Sequence, residues 1–268
     1  MNPVTINRGE GPVILAFPHT GTDLNADTAA ALNAEGALLR DTDWHIHELY
    51  ADLLPGVTTV RALFHRYVID ANRDPSGESL YPGQNTTGLC PTITFDNVPI
   101  YQAGREPDAV EIKRRHDAFH AVYHRALAAE IDRVKAIHGV AVLYDCHSIR
   151  SEIPFLFEGR LPDFNIGTNN STTCAPEIEK AVADICADAG GYTSVLNGRF
   201  KGGWTTRYYG RPADGVHAIQ MELAQASHLA AEEPPFAYDP ERAGKLRVHL
   251  KTILTTLNER ALSGALAR

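Results

Sequence analysis

Apolar residues in this chain fall into short blocks whose spacing changes again and again. Val13-Ile-Leu-Ala-Phe17 and Val140-Ala-Val-Leu143 are unbroken runs, too short for a helix and rich in β-branched side chains, so each predicts a buried strand. Val57–Leu63, Tyr67–Ile69, Tyr192–Leu196 and Val216–Leu223 read as further strands, and Phe155–Phe157 as an extension at an edge. Between them the period lengthens. From Asp108 to His138, residues such as Phe119, Tyr123, Leu127, Ile131 and Val134 recur at helical spacing, and Gly139 ends the run. Ala175–Ala189 and Pro240–Leu262 predict two more helices, with short helical pieces from Asp27 and within Asp41–Tyr50. Strands alternating with helices imply an α/β layered domain with a parallel or mixed sheet.

Residues 76–104 break this rhythm with a stretch rich in Gly, Pro, Asn and Thr. A loop of that length in a compact domain predicts a functional cover. No linker divides the 268 residues, so a single domain spanning 1–268 is expected. The net charge of −8 argues against nucleic acid or an anionic membrane surface as partner, and an anionic substrate would have to be drawn by local arginines. No apolar run is long enough to span a bilayer, and nothing ahead of Val13 resembles a signal peptide. The cysteines at 90, 146, 174 and 186 form no close pair, which fits reduced thiols in a cytoplasmic protein.

Polarity switches abruptly where the strands stop. Val13–Phe17 runs into Pro18-His19-Thr20-Gly21, and Val140–Leu143 into Tyr144-Asp145-Cys146-His147-Ser148-Ile149-Arg150. In open α/β sheets ligands bind just beyond the carboxyl ends of strands. His19, Asp43 and His147 therefore stand as candidate zinc ligands, two imidazoles and a carboxylate that leave a fourth position open for water. The competing reading is three hydrogen-bonded loop residues. His116-Asp-Ala-Phe-His120, extended by His124, nearly spells the H-E-x-x-H of metalloproteases, but Asp is one methylene shorter than the required Glu. That row reads as the flank of an amphipathic helix.

Arg66 is a candidate to face a developing oxyanion, and Asn72-Arg73 to hold a carboxylate through paired hydrogen bonds. Surface arginines paired with Asp70 or Asp74 are the alternative. Glu222, in the apolar run Ala218–Leu223, is either a general base or an edge residue facing solvent. Asn197–Arg211 packs glycines, aromatics and four cations into one loop suited to an anionic ligand. A serine nucleophile at Ser148 or Ser151 lacks the G-x-S-x-G elbow.

Taken in order, these motifs resemble the N-formylglutamate amidohydrolase (N-formylglutamate deformylase) family. The resemblance is carried by Pro18-His19-Thr-Gly21, Asp41-Thr-Asp43-Trp-His45, Arg66-Tyr-Val-Ile-Asp-Ala-Asn72-Arg73, Ser79–Gly83, Thr87–Pro91, Asp145-Cys-His147-Ser-Ile-Arg150-Ser, Phe157–Pro162, Asn197–Gly203 and Gln220-Met-Glu222-Leu223. That family is similar to the zinc carboxypeptidases and to aspartoacylase. The resemblance implies a single three-layer α/β domain with a central mixed sheet. It also implies zinc on His19, Asp43 and His147, Glu222 as base, Arg66 at the scissile carbonyl and Asn72-Arg73 on one substrate carboxylate. Arg207, with Lys201 or Arg150, is expected to hold the other. The relatives take two ligands from H-x-x-E, whereas here Thr22 stands three residues after His19. Asp43 is chosen as the carboxylate ligand over Asp41 and Asp23, and His47 stands where the family favours Asp.

The implied reaction is hydrolysis of N-formyl-L-glutamate, a small anionic N-acyl amino acid, in histidine degradation. A deacylase for another N-acyl amino acid, a carboxypeptidase and a non-catalytic metal-binding protein are the alternatives.

Overall fold

Period-two alternation divides the strands' side chains between two cores. The structure is a computed structural model describing residues 2–264 and 266. Strands β1 (Val4–Asn7), β2 (Val13–Phe17), β3 (Thr58–Ala62), β4 (Ala141–Ile149), β5 (Phe164–Gly167), β6 (Ser194–Leu196) and β7 (Val216–Ala224) form one sheet in the order β1-β3-β2-β4-β7-β5-β6. Neighbours from β3 to β7 are parallel, while β1 and β5 run antiparallel to β3 and β7, so the sheet is mixed.

Val13, Leu15, Phe17, Val142 and Tyr144 point to one face, where α5 (Pro176–Ala187) and α7 (Pro240–Leu262) cover them with Ile178, Val182, Leu250 and Leu254. Ile14, Ala16, Ala141, Leu143 and Ala218 point to the other, packed with Phe119, Tyr123, Leu127 and Ile131. Helices on both faces of a sheet make three layers. Central strands buried on both sides explain why β2 and β4 read as continuous apolar runs. Among the described residues no helix is long and apolar enough to cross a membrane. The four cysteines are free and buried.

Several elements differ from the sequence reading. The helix expected at 108–138 is α3 (Ala109–Arg115) and α4 (Ala121–His138) joined by a π turn at His116–His120. Its histidine row is no solvent flank. His120 and His124 are buried, their Nε2 atoms 3.1 Å from the Arg73 carbonyl and 2.8 Å from that of Ala71. Buried carbonyls need donors, and these rings supply them to the segment that carries Asn72 and Arg73.

Tyr67–Ile69 is a buried turn rather than a strand, because the Arg115 guanidinium donates to the carbonyls of Tyr67 and Val68 that a sheet partner would otherwise take. Phe155–Phe157 is also a turn, closed by bonds from Leu156 and Phe157 N–H to the Ile153 carbonyl. β1, β5 and α6 (Trp204–Tyr209) lie where no element was expected. The short α1 (Ala26–Ala31) and α2 (Ile46–Leu49) fall where the short helices were expected.

Leu143 is fully buried between β2 and β7 beneath α4. Leu143→Ala is expected to lower stability by about 2–5 kcal/mol, seen as a lower denaturant midpoint at unchanged m value.

Candidate metal centre and cleft

The register of β4 against β7 builds the floor of the site. Asp145 pairs with Gln220 and His147 with Glu222, and all four share the sheet face of Leu143 and Ala218. β4 continues to Ile149, so Asp145 and His147 lie within the strand and not in a loop past its end. Glu222 is buried on an inner strand flanked by β4 and β5, which excludes the solvent-facing alternative. His19 follows β2 directly, and Asp43 reaches in from the turn before α2, its N–H donating to the His19 carbonyl.

These three side chains converge. His19 Nδ1 and His147 Nδ1 are 3.2 Å apart, and Asp43 Oδ2 lies 3.1 Å from His147 Nδ1 and 3.7 Å from His19 Nδ1. Donors about 2.0–2.1 Å from a tetrahedral zinc sit roughly 3.3 Å from one another, so this buried triad can accept a metal ion. Asp41 is committed elsewhere, accepting from Tyr67 Oη and Phe95 N, and Asp23 is exposed. His47 lies against Glu48 and Arg61, away from the triad.

Each imidazole is backed by a carboxylate. His19 Nε2 is 2.7 Å from Asp70 Oδ1, and His147 Nε2 is 3.1 Å from Asp145 Oδ1. At His19 that carboxylate fixes the proton on Nε2 and leaves Nδ1 free to bind a cation. Asp70 also accepts from Arg66 Nη2 at 2.8 Å and lies 3.6 Å from Arg73 Nη1. Burial alone would raise its pKa, but Arg66 and Arg73 outweigh that and hold it well below the ordinary carboxylate range. Asp43 follows the same pattern, with His19 and His147 overcoming burial. Burial disfavours the charged form of His147, yet Asp145 and Asp43 raise its pKa well above the usual imidazole value. Asp43, Asp70, Asp145 and Glu222 are all buried around the two imidazoles, a donor set suited to a divalent cation.

Burial pushes the Glu222 carboxyl up to about 8, with His147 pulling the other way. Its Oε2 accepts from Gln220 Nε2, whose Oε1 in turn takes the Gly203 N–H. Asn72 locks beneath Gly203, taking the Thr205 N–H on Oδ1 and reaching His147 Nε2 with Nδ2.

Above this floor a cleft opens. Arg66, Asn72, Arg73 and Glu222 line it together with the triad. Its lining includes Tyr81, Asn85 and Thr87 from the 76–104 segment. Arg150, Lys201 and Arg207 do not line it. Arg150 pairs with Asp96, and Arg207 bonds the Gly202 and Leu80 carbonyls and stacks on Tyr81. The cation that the Asn197–Arg211 segment sends into the cleft is Arg199. The alternative pairing of Arg66 and Arg73 with Asp70 is realised, but with Asp70 buried rather than at the surface, and Arg199 has no individual role in the sequence reading. A carboxylate beside the apolar Tyr67–Ile69 is the same signal that drew attention to Glu222. Nothing in the spacing distinguished Arg199 from its neighbouring cations.

Asp70→Asn is expected to weaken metal uptake by about 10- to 100-fold, read by competition with a chromogenic chelator. Gly203→Ala would set a Cβ 2.2 Å from Asn72 Nδ2 and 2.6 Å from its other amide atoms. It is expected to disturb the Asn72–His147 contact and lower metal affinity in the same assay, with the fold retained by circular dichroism.

Comparison with known proteins places the chain in one family. A family model described as N-formylglutamate amidohydrolase matches residues 11–229. The chain is 45% identical over 256 residues to the N-formylglutamate deformylase of Pseudomonas aeruginosa and 43% identical over 257 residues to that of Pseudomonas putida, covering 95% of each chain in both cases. The crystal structure of N-formylglutamate amidohydrolase from Ralstonia eutropha JMP134 superposes with a TM-score of 0.80 at 26% identity, over 97% of this chain and 99% of that one. The chain belongs to the N-formylglutamate amidohydrolase family.

Proposed function

We propose that this protein hydrolyses N-formyl-L-glutamate to formate and L-glutamate with a zinc ion held by His19, Asp43 and His147. The observation that carries this reading is the convergence of these three donors at the floor of a cleft that also contains Glu222, Arg66 and Arg73. The names of the Pseudomonas relatives supply the substrate. When bound, zinc supplies Lewis acidity, lowering the pKa of water to about 7 and stabilising negative charge on oxygen.

The chain's own groups do the rest. Glu222 takes a proton from the attacking water as its oxygen bonds to the formyl carbon. It returns that proton to the amine nitrogen as the C–N bond breaks. A base with a raised pKa holds a proton more firmly and so is suited to both halves of the transfer. Arg66, held by Asp70 and stacked over Phe95 at 4.8 Å, faces the carbonyl oxygen as charge develops there. Its Nε is buried without a partner, which fits a donor reserved for the reaction. Arg73, beside Asn72, holds the α-carboxylate and thereby fixes the formamide over the triad.

The test is formate release from N-formylglutamate, compared with N-acetylaspartate and a dipeptide, with metal content measured before and after chelation. N-formylglutamate is expected to be the best substrate, activity to fall with metal content and zinc to restore it. Preferential turnover of either competitor would overturn the substrate assignment. Glu222→Gln is expected to lower kcat by about 10²- to 10⁴-fold with metal content unchanged.

A further inference from the structure

The cleft holds a cation that the mechanism above leaves unused. Arg199 lies half-buried in the wall, on the loop between β6 and α6. Its Nε donates to the Leu156 carbonyl at 2.9 Å and its Nη2 to that of Asn85 at 3.0 Å, which leaves Nη1 without a hydrogen-bond partner among the described residues. The guanidinium also sits 5.3 Å from the ring centres of both Tyr81 and Phe200. These contacts fix the fork but do not neutralise it.

Arg66 and Arg73 share the carboxylate of Asp70, whereas among the described residues no Asp or Glu oxygen comes within 4.0 Å of Arg199. Burial and the nearby Arg73 work against its charge, with Tyr81 and the more distant Glu222 acting the other way. A half-buried guanidinium held rigid, with no carboxylate in contact and open to a cleft, is a receptor for an anion.

The chemistry of the substrate says which anion. The α-carboxylate is attached to the carbon that bears the formamide nitrogen, so it must sit close to the reacting carbonyl. Arg73 meets that demand, being 3.6 Å from the Asp70 that backs His19. The side-chain carboxylate lies two methylenes further along, and among the described residues no hydrogen bond or ion pair joins Arg199 to the triad. Phe200 and Leu156, which also line the cleft, offer apolar surface for those methylenes. Resting on the deformylase reading, the geometry points to Arg199 as the residue that binds the side-chain carboxylate and so selects an acidic N-formyl amino acid.

Arg199 also ties down Asn85 of the covering segment, so its loss alone would not separate recognition from support. The discriminating measurement is the ratio of kcat/KM for N-formyl-L-glutamate to that for its neutral isostere N-formyl-L-glutamine. It is paired with calorimetric binding of L-glutamate and L-glutamine, in wild type, Arg199→Met and Arg199→Lys. A lost charge-assisted bond is expected to cut the preference for the acid roughly 10- to 100-fold in Arg199→Met, in turnover and in binding, with partial recovery in Arg199→Lys. A merely structural tie would weaken both ligands equally and leave the ratio where it was; that result overturns the assignment while the deformylase reading stands. Arg199-dependent glutamate binding in a wild type that releases no formate would sink the deformylase reading and sustain the receptor.

Discussion

The site depends on a buried carboxylate, Asp70, staying ionised. It receives His19 on one oxygen and Arg66 on the other, with Arg73 close by, and its own main chain helps through the Asn72 N–H. Removing one partner of such a group strands the others, at a cost of several kcal/mol. A single ionised side chain therefore sets the orientation of a candidate metal ligand, a candidate oxyanion donor and a candidate carboxylate clamp. The two histidines of α4 and its π turn hold the same segment from behind through the carbonyls of Ala71 and Arg73.

Sheet register is the second constraint. Because β4 and β7 are parallel and paired residue for residue from Ala141 to Ile149, alternation puts His147 and Glu222 side by side on one face. A slip of one residue would turn either of them into the opposite core, among Leu250 and Leu254. The apolar residues preceding them in each strand enforce that register. The hydrophobic core and the floor of the candidate site are consequently specified by the same pairing.

That dependence explains what was legible from the chain alone. β2, the start of β4 and helix α7 stand out because their apolar blocks are uninterrupted or strictly periodic. Glu222 stands out as a carboxylate among apolar neighbours. Tyr67–Ile69 misleads because burial without pairing looks the same in sequence as burial with it, and the guanidinium that replaces the sheet partner lies some fifty residues away at Arg115. Asp70 hides for the same reason, its partners scattered over His19, Arg66 and Arg73. Among the cations between Asn197 and Arg211, only the path of the loop decides that Arg199 turns inward and Arg207 stacks outside the cleft.

That path is set by an unusual turn. After β5, Asn169, Asn170 and Ser171 take φ values of 48°, 56° and 66° in succession, and Asn197 follows suit at 52°. A left-handed residue other than glycine costs about 1–2 kcal/mol. The Asn197 amide offsets this by accepting the N–H groups of Thr168 and Asn170, while Asn169 N–H reaches the Lys201 carbonyl. Asparagine tolerates this backbone better than most residues, whereas valine or isoleucine would clash with it. Drift at these positions is thus channelled towards asparagine, aspartate and glycine. A stretch that lines no part of the cleft inherits a narrow alphabet from the wall it shapes.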